Sequence, residues 1–182
     1  MFRVEARLNC SQERAEGRQL TQVLLEQVEV WRLPDERQSM LRNQTIGFVF
    51  QFPSLMPSLT SLENVILPTV SQSEVDRNKV KARAVDLLAR VGLSDKLHAY
   101  PRQLSAGQQQ RVVISRALIN EPELLLADEP TSNLDEQTEH EIMALIRELY
   151  EERPLTILLV THSTDLASYG NRSVRMAAGE II

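Results

Sequence analysis

Residues 124–131 read LLLADEPT, an unbroken apolar run that ends in two adjacent carboxylates, Asp128 and Glu129. A short, bounded run that is apolar at every position predicts a strand buried on both faces, as in a parallel sheet. Carboxylates at the end of such a strand are costly unless they meet water, a metal or a partner. In open parallel sheets, ligands bind just beyond the carboxyl ends of the strands. The stretch therefore indicates a metal or phosphate site or, more simply, a strand end that reaches solvent.

Apolar strands alternate with amphipathic helices around this stretch. Residues 1–22 are polar and weakly patterned, and residues 52–68, with three prolines, predict loop and short turns. Strands are predicted at 23–30, 46–50, 124–128 and 156–161, with a hairpin near Ala178–Gly179. Helices are predicted at 74–91, at 108–119 and, capped by Asp135, up to residue 151. The alternation predicts an α/β fold with a largely parallel sheet and a mostly helical lobe over 52–102.

The composition limits the classes of function. The chain has 182 residues, 42% of them hydrophobic and 25% charged, which is the balance of an ordinary soluble domain. A net charge of −5 argues against a nucleic-acid-binding surface. The single cysteine excludes an internal disulfide and fits a reducing compartment. No apolar run reaches the roughly 18–20 residues that span a bilayer, and the start lacks a signal peptide's apolar core. We therefore expect a cytosolic protein, or one held on a membrane by other subunits.

Polar residues suited to phosphate chemistry follow several predicted strands and stand at the starts of predicted helices. They lie in FVFQ (48–51), LSAGQQQR (104–111), LLLADEP (124–130), SNLD (132–135) and Thr161-His162. In this order the motifs resemble those of the nucleotide-binding subunit of ABC transporters, over about residues 28–182. They are similar to its Q-loop, signature motif (with Ala106 for the usual first glycine), Walker B strand, D-loop and switch histidine. LTSLENV (59–65) and LLADEPTSNLD (125–135) most resemble the branch serving lipoprotein release and macrolide-type export.

The resemblance implies a P-loop NTPase-type α/β fold, N-terminally truncated, with an inserted helical lobe. One ABC-type ATPase domain is expected over 1–182: a partial catalytic core (1–51, its first 27 residues unmatched), the Q-loop and helical lobe (52–104), and the remaining motifs with the C-terminal core (105–182). The implied activity is ATP hydrolysis coupled to export or lipoprotein release. The implied partners are transmembrane permease subunits and a second ATPase subunit, packed head-to-tail in a homo- or heterodimer. Nucleic acid is not among them, and the expected location is the cytoplasmic face of the plasma membrane.

The resemblance also implies roles for the polar residues at the strand ends. Asp128 would help to hold Mg²⁺ beside the phosphates of ATP, since Mg²⁺ uses few protein carboxylates and keeps waters. Glu129 would orient or deprotonate the attacking water, and His162 would hydrogen-bond the γ-phosphate and the Glu129 region. Gln51 would contact the metal or the water. Taken without their neighbours, His162 and Gln51 are more typical of solvated positions at strand ends.

The signature motif implies a second kind of phosphate contact. Ser105, Gly107 and Gln108 lie at a predicted helix N-terminus, whose unpaired N–H groups and partial positive charge suit an anion. In the family this helix end faces the nucleotide bound to the other subunit. Asp135 would lie at the dimer interface, although it is also a good helix cap.

The 182 residues contain no G-x-x-x-x-G-K-[ST] motif, the loop whose amides and lysine hold the phosphates. In relatives that loop precedes the Q-loop by roughly 45–50 residues, so we expect its counterpart upstream of this chain. We therefore expect weak intrinsic affinity for MgATP. Three alternatives to an active subunit stay open: a degenerate interaction subunit, a gene fragment, and a soluble repair or translation ATPase on the same fold. The similarity of LTSLENV and LLADEPTSNLD to the motifs of export subunits argues against a repair or translation ATPase.

Overall fold

The computed structural model describes residues 4–8, 20–25, 28–72, 75–152, 154–177 and 180–182. Within these ranges the strands are β1 (Val4–Leu8), β2 (Leu20–Leu25), β3 (Val28–Glu29), β4 (Ile46–Val49), β5 (Leu124–Asp128), β6 (Thr156–Val160), β7 (Met176–Ala177) and β8 (Glu180–Ile181). The α-helices are α1 (Asp35–Thr45), α2 (Ser61–Ile66), α3 (Arg77–Arg90), α4 (Ala106–Leu118), α5 (Glu136–Glu152) and α6 (Thr164–Ala167). No helix in these ranges is both long enough and apolar enough to cross a bilayer.

A parallel sheet of β4, β5 and β6, with β5 in the middle, forms the centre of the fold. Val49 pairs with Ala127, and Asp128 pairs with Val160, so the three strands finish at the same edge. The predicted parallel sheet is confirmed, with β4 and β6 each one residue shorter than predicted. Asp128 lies at its carboxyl-terminal edge, and Gln51, Glu129 and His162 lie just beyond the ends of the strands.

The two faces of this sheet pack against different layers, because successive side chains of a strand point to opposite faces. Val49, Leu125 and Ala127 belong to the main core, together with the apolar stripes of α3, α4 and α5. On the alternate positions, Leu124 forms a smaller cluster with Val30. One face of the sheet is therefore covered by the helical layer and the other by a smaller apolar cluster.

The N-terminal segment differs from the prediction. β1, β2 and β3 form an antiparallel sheet, whereas residues 1–22 gave no predicted element. The predicted strand 23–30 is wrong as one unit: β2 ends at Leu25, β3 covers Val28–Glu29, and residues 26–27 lie outside the described ranges. In β1, apolar residues alternate with charged ones at a period of two. This alternation does not produce the apolar stripe of a 3.6-residue period by which an amphipathic helix is recognised.

Two helices were also not predicted. Residues 61–66 form α2 within the predicted loop, because Thr60 and Glu63 build a reciprocal capping box that starts a helix despite the nearby prolines. Residues 35–45 form α1, a polar helix with no buried residue, so no apolar stripe marks it in the sequence.

The other elements follow the prediction closely. α3 begins at Arg77 rather than at residue 74, which lies outside the described ranges, and α4 begins at Ala106 rather than at residue 108. The shift in α4 arises because Ser105 caps the helix and Ala106 is already helical. β7 and β8 pair as the predicted hairpin, and its turn residues, Ala178 and Gly179, lie outside the described ranges.

Candidate functional site

The structure brings Glu129 and His162 into direct contact at the carboxyl ends of β5 and β6. Glu129 Oε1 accepts a hydrogen bond from the His162 backbone N–H at 2.7 Å and lies 2.7 Å from His162 Nδ1. Because an ionised carboxylate only accepts hydrogen bonds, Nδ1 carries the proton in this pair. The Thr161 hydroxyl lies 3.3 Å from Glu129 Oε2. The carboxylate is thus oriented by three groups that follow β6.

The backbone at Glu129 is held in an unusual conformation. Its φ of +44° lies in the left-handed region, which side chains other than glycine rarely adopt. Its N–H donates to the Val160 carbonyl at 2.9 Å, and its own carbonyl accepts from the Ser132 N–H and hydroxyl. Strain of this kind costs on the order of 1–3 kcal/mol and concentrates at functional sites. The Glu129 side chain is 18% exposed and the His162 side chain 82% exposed, so the histidine faces solvent while the carboxylate is largely covered.

Asp128 ends β5 immediately beside this pair, and it is exposed. No cluster of three or more acidic, histidine or cysteine side chains that could hold a metal exists within the described ranges. A closed protein cage for a metal is therefore not formed there. One or two carboxylates beside phosphate oxygens are the usual protein share of a Mg²⁺ site, and Asp128 fits that donor set.

Gln51 lies two residues beyond the end of β4, next to the same edge, and is exposed. Its backbone carbonyl accepts a hydrogen bond from Asn133 Nδ2 at 3.1 Å, across 82 residues of sequence. This bond ties the loop after β4 to the loop between β5 and α5. Asn133 is part of the SNLD stretch, but the sequence does not indicate this role for it, since nothing in the sequence shows that the two loops meet.

Ser105 and Gln108 form a complete capping box at the start of α4. Ser105 Oγ accepts from the Gln108 N–H at 3.2 Å, and Gln108 Oε1 accepts from the Ser105 N–H at 3.0 Å. In this structure both side chains therefore satisfy the helix end itself. Their contact with a nucleotide phosphate stays a prediction.

Thr138 joins Gly107 to Asp135, two residues that were singled out separately. A Cβ at Gly107 would lie 2.5 Å from Thr138 Cγ2, so the start of α4 presses on the first turn of α5. Asp135 accepts from the Thr138 N–H at 3.0 Å and from its hydroxyl at 2.8 Å, which confirms Asp135 as the cap of α5. These bonds, the backbone one first, lower the pKa of Asp135 below its ordinary value. The start of α4, which carries the signature motif, and the loop before α5 thus both contact Thr138.

Asp135→Asn should change how the free energy of unfolding depends on pH in the acid range, because asparagine caps a helix but does not titrate. The lowered pKa of Asp135 means that its stabilisation is present above the unfolded value, about 3.9, and is lost as pH falls through the lower folded value. The wild-type chain should therefore be the more stable of the two at neutral pH, with the difference shrinking below about pH 4. Urea unfolding at a series of pH values measures it. A difference that stays constant down to pH 2 contradicts this assignment.

The predicted residues thus form two groups within one chain. Glu129 and His162 are bonded at the sheet edge beside Asp128, while Gly107 and Asp135 meet through Thr138. No hydrogen bond between described residues joins the signature residues of α4 to the Glu129 pair. The chain therefore presents a carboxylate and histidine group and, separately, a helix N-terminus suited to an anion.

Comparison with known proteins shows which family this chain, with its carboxylate and histidine group and its separate helix N-terminus, belongs to. The family described as ABC transporter matches residues 10–132. The lipoprotein-releasing system ATP-binding protein LolD of Syntrophus aciditrophicus is 44% identical over 161 residues, 88% of this chain and 72% of the relative. The macrolide export ATP-binding/permease protein MacB of Rhodopirellula baltica is 50% identical over 139 residues, 76% of this chain and 20% of the relative.

A solved structure agrees with the sequence comparisons. The dimeric, post-hydrolysis ATP-binding cassette MJ0796 bound to ADP and Pi superposes with a TM-score of 0.78 and 39% identity, over 88% of this chain and 70% of that chain. The fold predicted from the motifs is therefore confirmed over most of the chain. The protein belongs to the ABC transporter family, as an ATP-binding subunit of the LolD and MacB branch.

Proposed function

We propose that this chain couples the binding and hydrolysis of ATP to export or lipoprotein release by transmembrane permease subunits. The observation that carries the proposal is the Glu129–His162 pair, with Nδ1 and Oε1 2.7 Å apart where two parallel strands end. A carboxylate held in this way can orient or deprotonate a water, and the histidine beside it can donate to phosphate when its Nε2 is protonated as well as its Nδ1. Phosphoryl transfer needs mainly positioning and charge stabilisation, and these groups supply both.

Asp128 would hold Mg²⁺ together with phosphate oxygens of ATP, and the exposed Gln51 side chain is a second candidate ligand at the same edge. Mg²⁺ is required on electrostatic grounds, because Asp128 and Glu129 alone repel a polyanion. Ser105, Gly107 and Gln108 would contact a nucleotide through the N-terminus of α4. Since they do not join the Glu129 group within one chain, we assign this contact to the nucleotide of a second subunit, arranged head-to-tail.

The partners and location follow from the same proposal. LolD is an ATP-binding protein of a lipoprotein-releasing system, and MacB combines ATP-binding with permease in one protein. By analogy we place this chain on the cytoplasmic face of the plasma membrane, bound to permease subunits and to a second ATPase subunit. The Asn133 bond to Gln51 would connect the loop that faces the permease with the loop at the dimer interface.

A second candidate function is a subunit that binds these partners without hydrolysing ATP itself. The favouring observation is that none of the six glycines precedes a lysine, so the 182 residues carry no phosphate-binding G-x-x-x-x-G-K-[ST] loop. In a mixed dimer, α4 of this chain could still complete a site whose loop comes from an intact partner. The two candidates differ in whether the chain alone binds MgATP.

Thermal unfolding with and without MgATP should separate the two candidates. Ligand at 100 times its Kd adds roughly 2.7 kcal/mol to the free energy of unfolding, a rise in Tm of about 5–10 °C for a domain of this size. ATP with EDTA in place of Mg²⁺ is the control, and the shift should then fall, because phosphate charge faces uncompensated carboxylates. A Tm that does not move in a cooperatively unfolding sample contradicts nucleotide binding by the chain alone and favours the second candidate.

A further inference from the structure

Three consecutive glutamines of α4 differ in how their side chains are bonded. Gln108 belongs to the capping box of α4, and Gln109 Nε2 donates to the carbonyls of Pro101 and Leu104 at 3.1 and 3.2 Å. Gln110 is buried, with 2% of its surface exposed, and its Nε2 has no hydrogen-bond partner among the described residues. No other buried side-chain nitrogen or oxygen within the described ranges lacks a partner. The amide of Gln110 therefore has no role in the fold that explains its burial.

The unpaired amide makes this conformation of the chain costly. A buried N–H donor has given up its hydrogen bonds to water, and without an acceptor nothing replaces them. An apolar side chain of the same length, such as methionine, would fill the same space without that cost. A conformation in which Gln110 Nε2 meets a carbonyl would recover the cost, so the amide favours such a conformation over this one.

The direction of α4 shows where along the sheet Gln110 lies. At the start of α4, Gly107 presses on Thr138 in the first turn of α5, the helix that follows the carboxyl end of β5. Near the end of α4, the Ala117 carbonyl packs on Gly47, near the start of β4. α4 therefore runs antiparallel to the strands. Gln110 comes three residues after Gly107 and seven before Ala117, so it lies on the same face of the helix, between these two contacts.

The spacings of helix and strand give the level of Gln110 more closely. Seven residues of α-helix rise about 10.5 Å, and about three residues of strand span the same length. Counted from Gly47 toward the carboxyl end of β4, this distance reaches Phe50. Gln110 therefore lies level with residues 50–52, which we call the post-β4 segment and which include Gln51.

The post-β4 segment offers acceptors for this amide. Phe50, Gln51 and Phe52 are all exposed, and a bond from Asn133 to the Gln51 carbonyl ties the segment to the loop after β5. The carbonyls of Phe50 and Phe52 accept no hydrogen bond within the described ranges. An exposed segment with few bonds moves at little cost in free energy. The Gln110 amide and these two carbonyls are thus unpaired groups at one level of the fold.

We propose that Gln110 is a positioning residue for the proposed reaction. When nucleotide binds at the carboxyl-terminal edge of the sheet, the post-β4 segment moves onto α4, and Gln110 Nε2 donates to the carbonyl of Phe50 or Phe52. The bond fixes Gln51 beside the Glu129 group. The inference rests on the proposed function, since it assumes nucleotide at this edge, and it adds the residue that holds Gln51 in place.

Hydrogen–deuterium exchange tests the movement in the chain assembled with its partner subunit. MgATP should slow exchange in a peptide covering residues 50–56 of the wild type, and the slowing should be about fivefold smaller in Gln110→Met, which cannot donate. A peptide covering residues 140–149 of α5 is the control and should exchange alike in both chains. If MgATP leaves the 50–56 peptide unchanged, or slows it equally in both chains, the proposal is wrong.

Thermal unfolding without nucleotide tests whether the amide is unpaired in the resting chain. Gln110→Met should raise the Tm by about 3 °C or more, because it removes a buried donor that has no acceptor. Gln109→Met is the matched control: it makes the same change one residue earlier on α4 but loses two hydrogen bonds, so the Tm should fall. A lower Tm in Gln110→Met would show that Nε2 is already bonded, which contradicts the proposal.

The kinetics of the assembled chain separate positioning from a structural role. Gln110→Met should lower kcat at least about tenfold with little change in KM, because Gln51 is misplaced while the groups that hold the phosphates stay. Gln51→Ala should also lower kcat, and adding Gln110→Met to it should cause little further loss, since the two residues act as a unit. Losses that multiply would show that Gln110 does not act through Gln51.

The failure of this inference differs from the failure of the proposed function. If the wild-type assembly neither binds nor hydrolyses MgATP, the proposed function fails, and the role of Gln110 fails with it. If the wild type hydrolyses ATP and Gln110→Met is equally fast, the proposed function stands and only the role of Gln110 is overturned.

Discussion

Glu129→Gln is expected to lower ATP turnover by about 100-fold or more, the usual size of a general-base contribution. The glutamine cannot take a proton from water, but its Oε1 can still accept from the His162 N–H, as Glu129 does at 2.7 Å. The fold and the binding of nucleotide should therefore survive while hydrolysis slows. As a result, the ATP-bound dimer should last longer in the variant than in the wild-type chain.

Phosphate release by the chain, assembled with its partner subunit, measures the turnover, and size-exclusion chromatography with ATP and Mg²⁺ measures the dimer. Glu148→Gln is the matched control, since it makes the same chemical change at an exposed position of α5 and should alter neither quantity. Turnover that is unchanged in Glu129→Gln would remove Glu129 from the reaction. Unchanged dimerisation would show that hydrolysis does not limit the lifetime of the bound state.

The pairing of Glu129 with His162 could be predicted because it follows from strand direction. Each residue follows an apolar run after one intervening polar residue, and parallel strands bring their carboxyl ends to one edge. The left-handed backbone of Glu129 was not predictable in the same way. No glycine or asparagine marks the position, and the conformation depends on hydrogen bonds to β6 that exist only in the folded sheet.

Contacts between loops were the part of the site that the sequence could not reveal. The bond between Asn133 and the Gln51 backbone carbonyl spans 82 residues, and an asparagine side chain in a loop is not specific to such a contact. Thr138 is similar, because it appears in the sequence as one polar residue in the first turn of a helix. Its role follows only from the packing of α4 on α5, where Gly107 leaves room for its methyl group.

Gly107→Ala should lower the free energy of unfolding by about 1–2 kcal/mol, although alanine favours a helix more than glycine does. The new Cβ would lie 2.5 Å from Thr138 Cγ2, closer than real carbon contacts allow. Overpacking of this kind costs about 1–3 kcal/mol, against at most about 1 kcal/mol gained in helix propensity. Rotating Thr138 away would relieve the clash but would move its hydroxyl off Asp135, which is now 2.8 Å away.

The physical cause can be isolated with a second substitution at Thr138. Thr138→Ser removes the clashing methyl and keeps the hydroxyl on Asp135, so Gly107→Ala should cost little or nothing in that background. Thr138→Val keeps both branches at Cβ and loses the hydroxyl, so it should give no rescue. Urea unfolding of the singles and doubles measures the coupling, which should be favourable by about 1–2 kcal/mol for serine only. Equal costs of Gly107→Ala in all three backgrounds would show that α4 and α5 do not meet through Thr138.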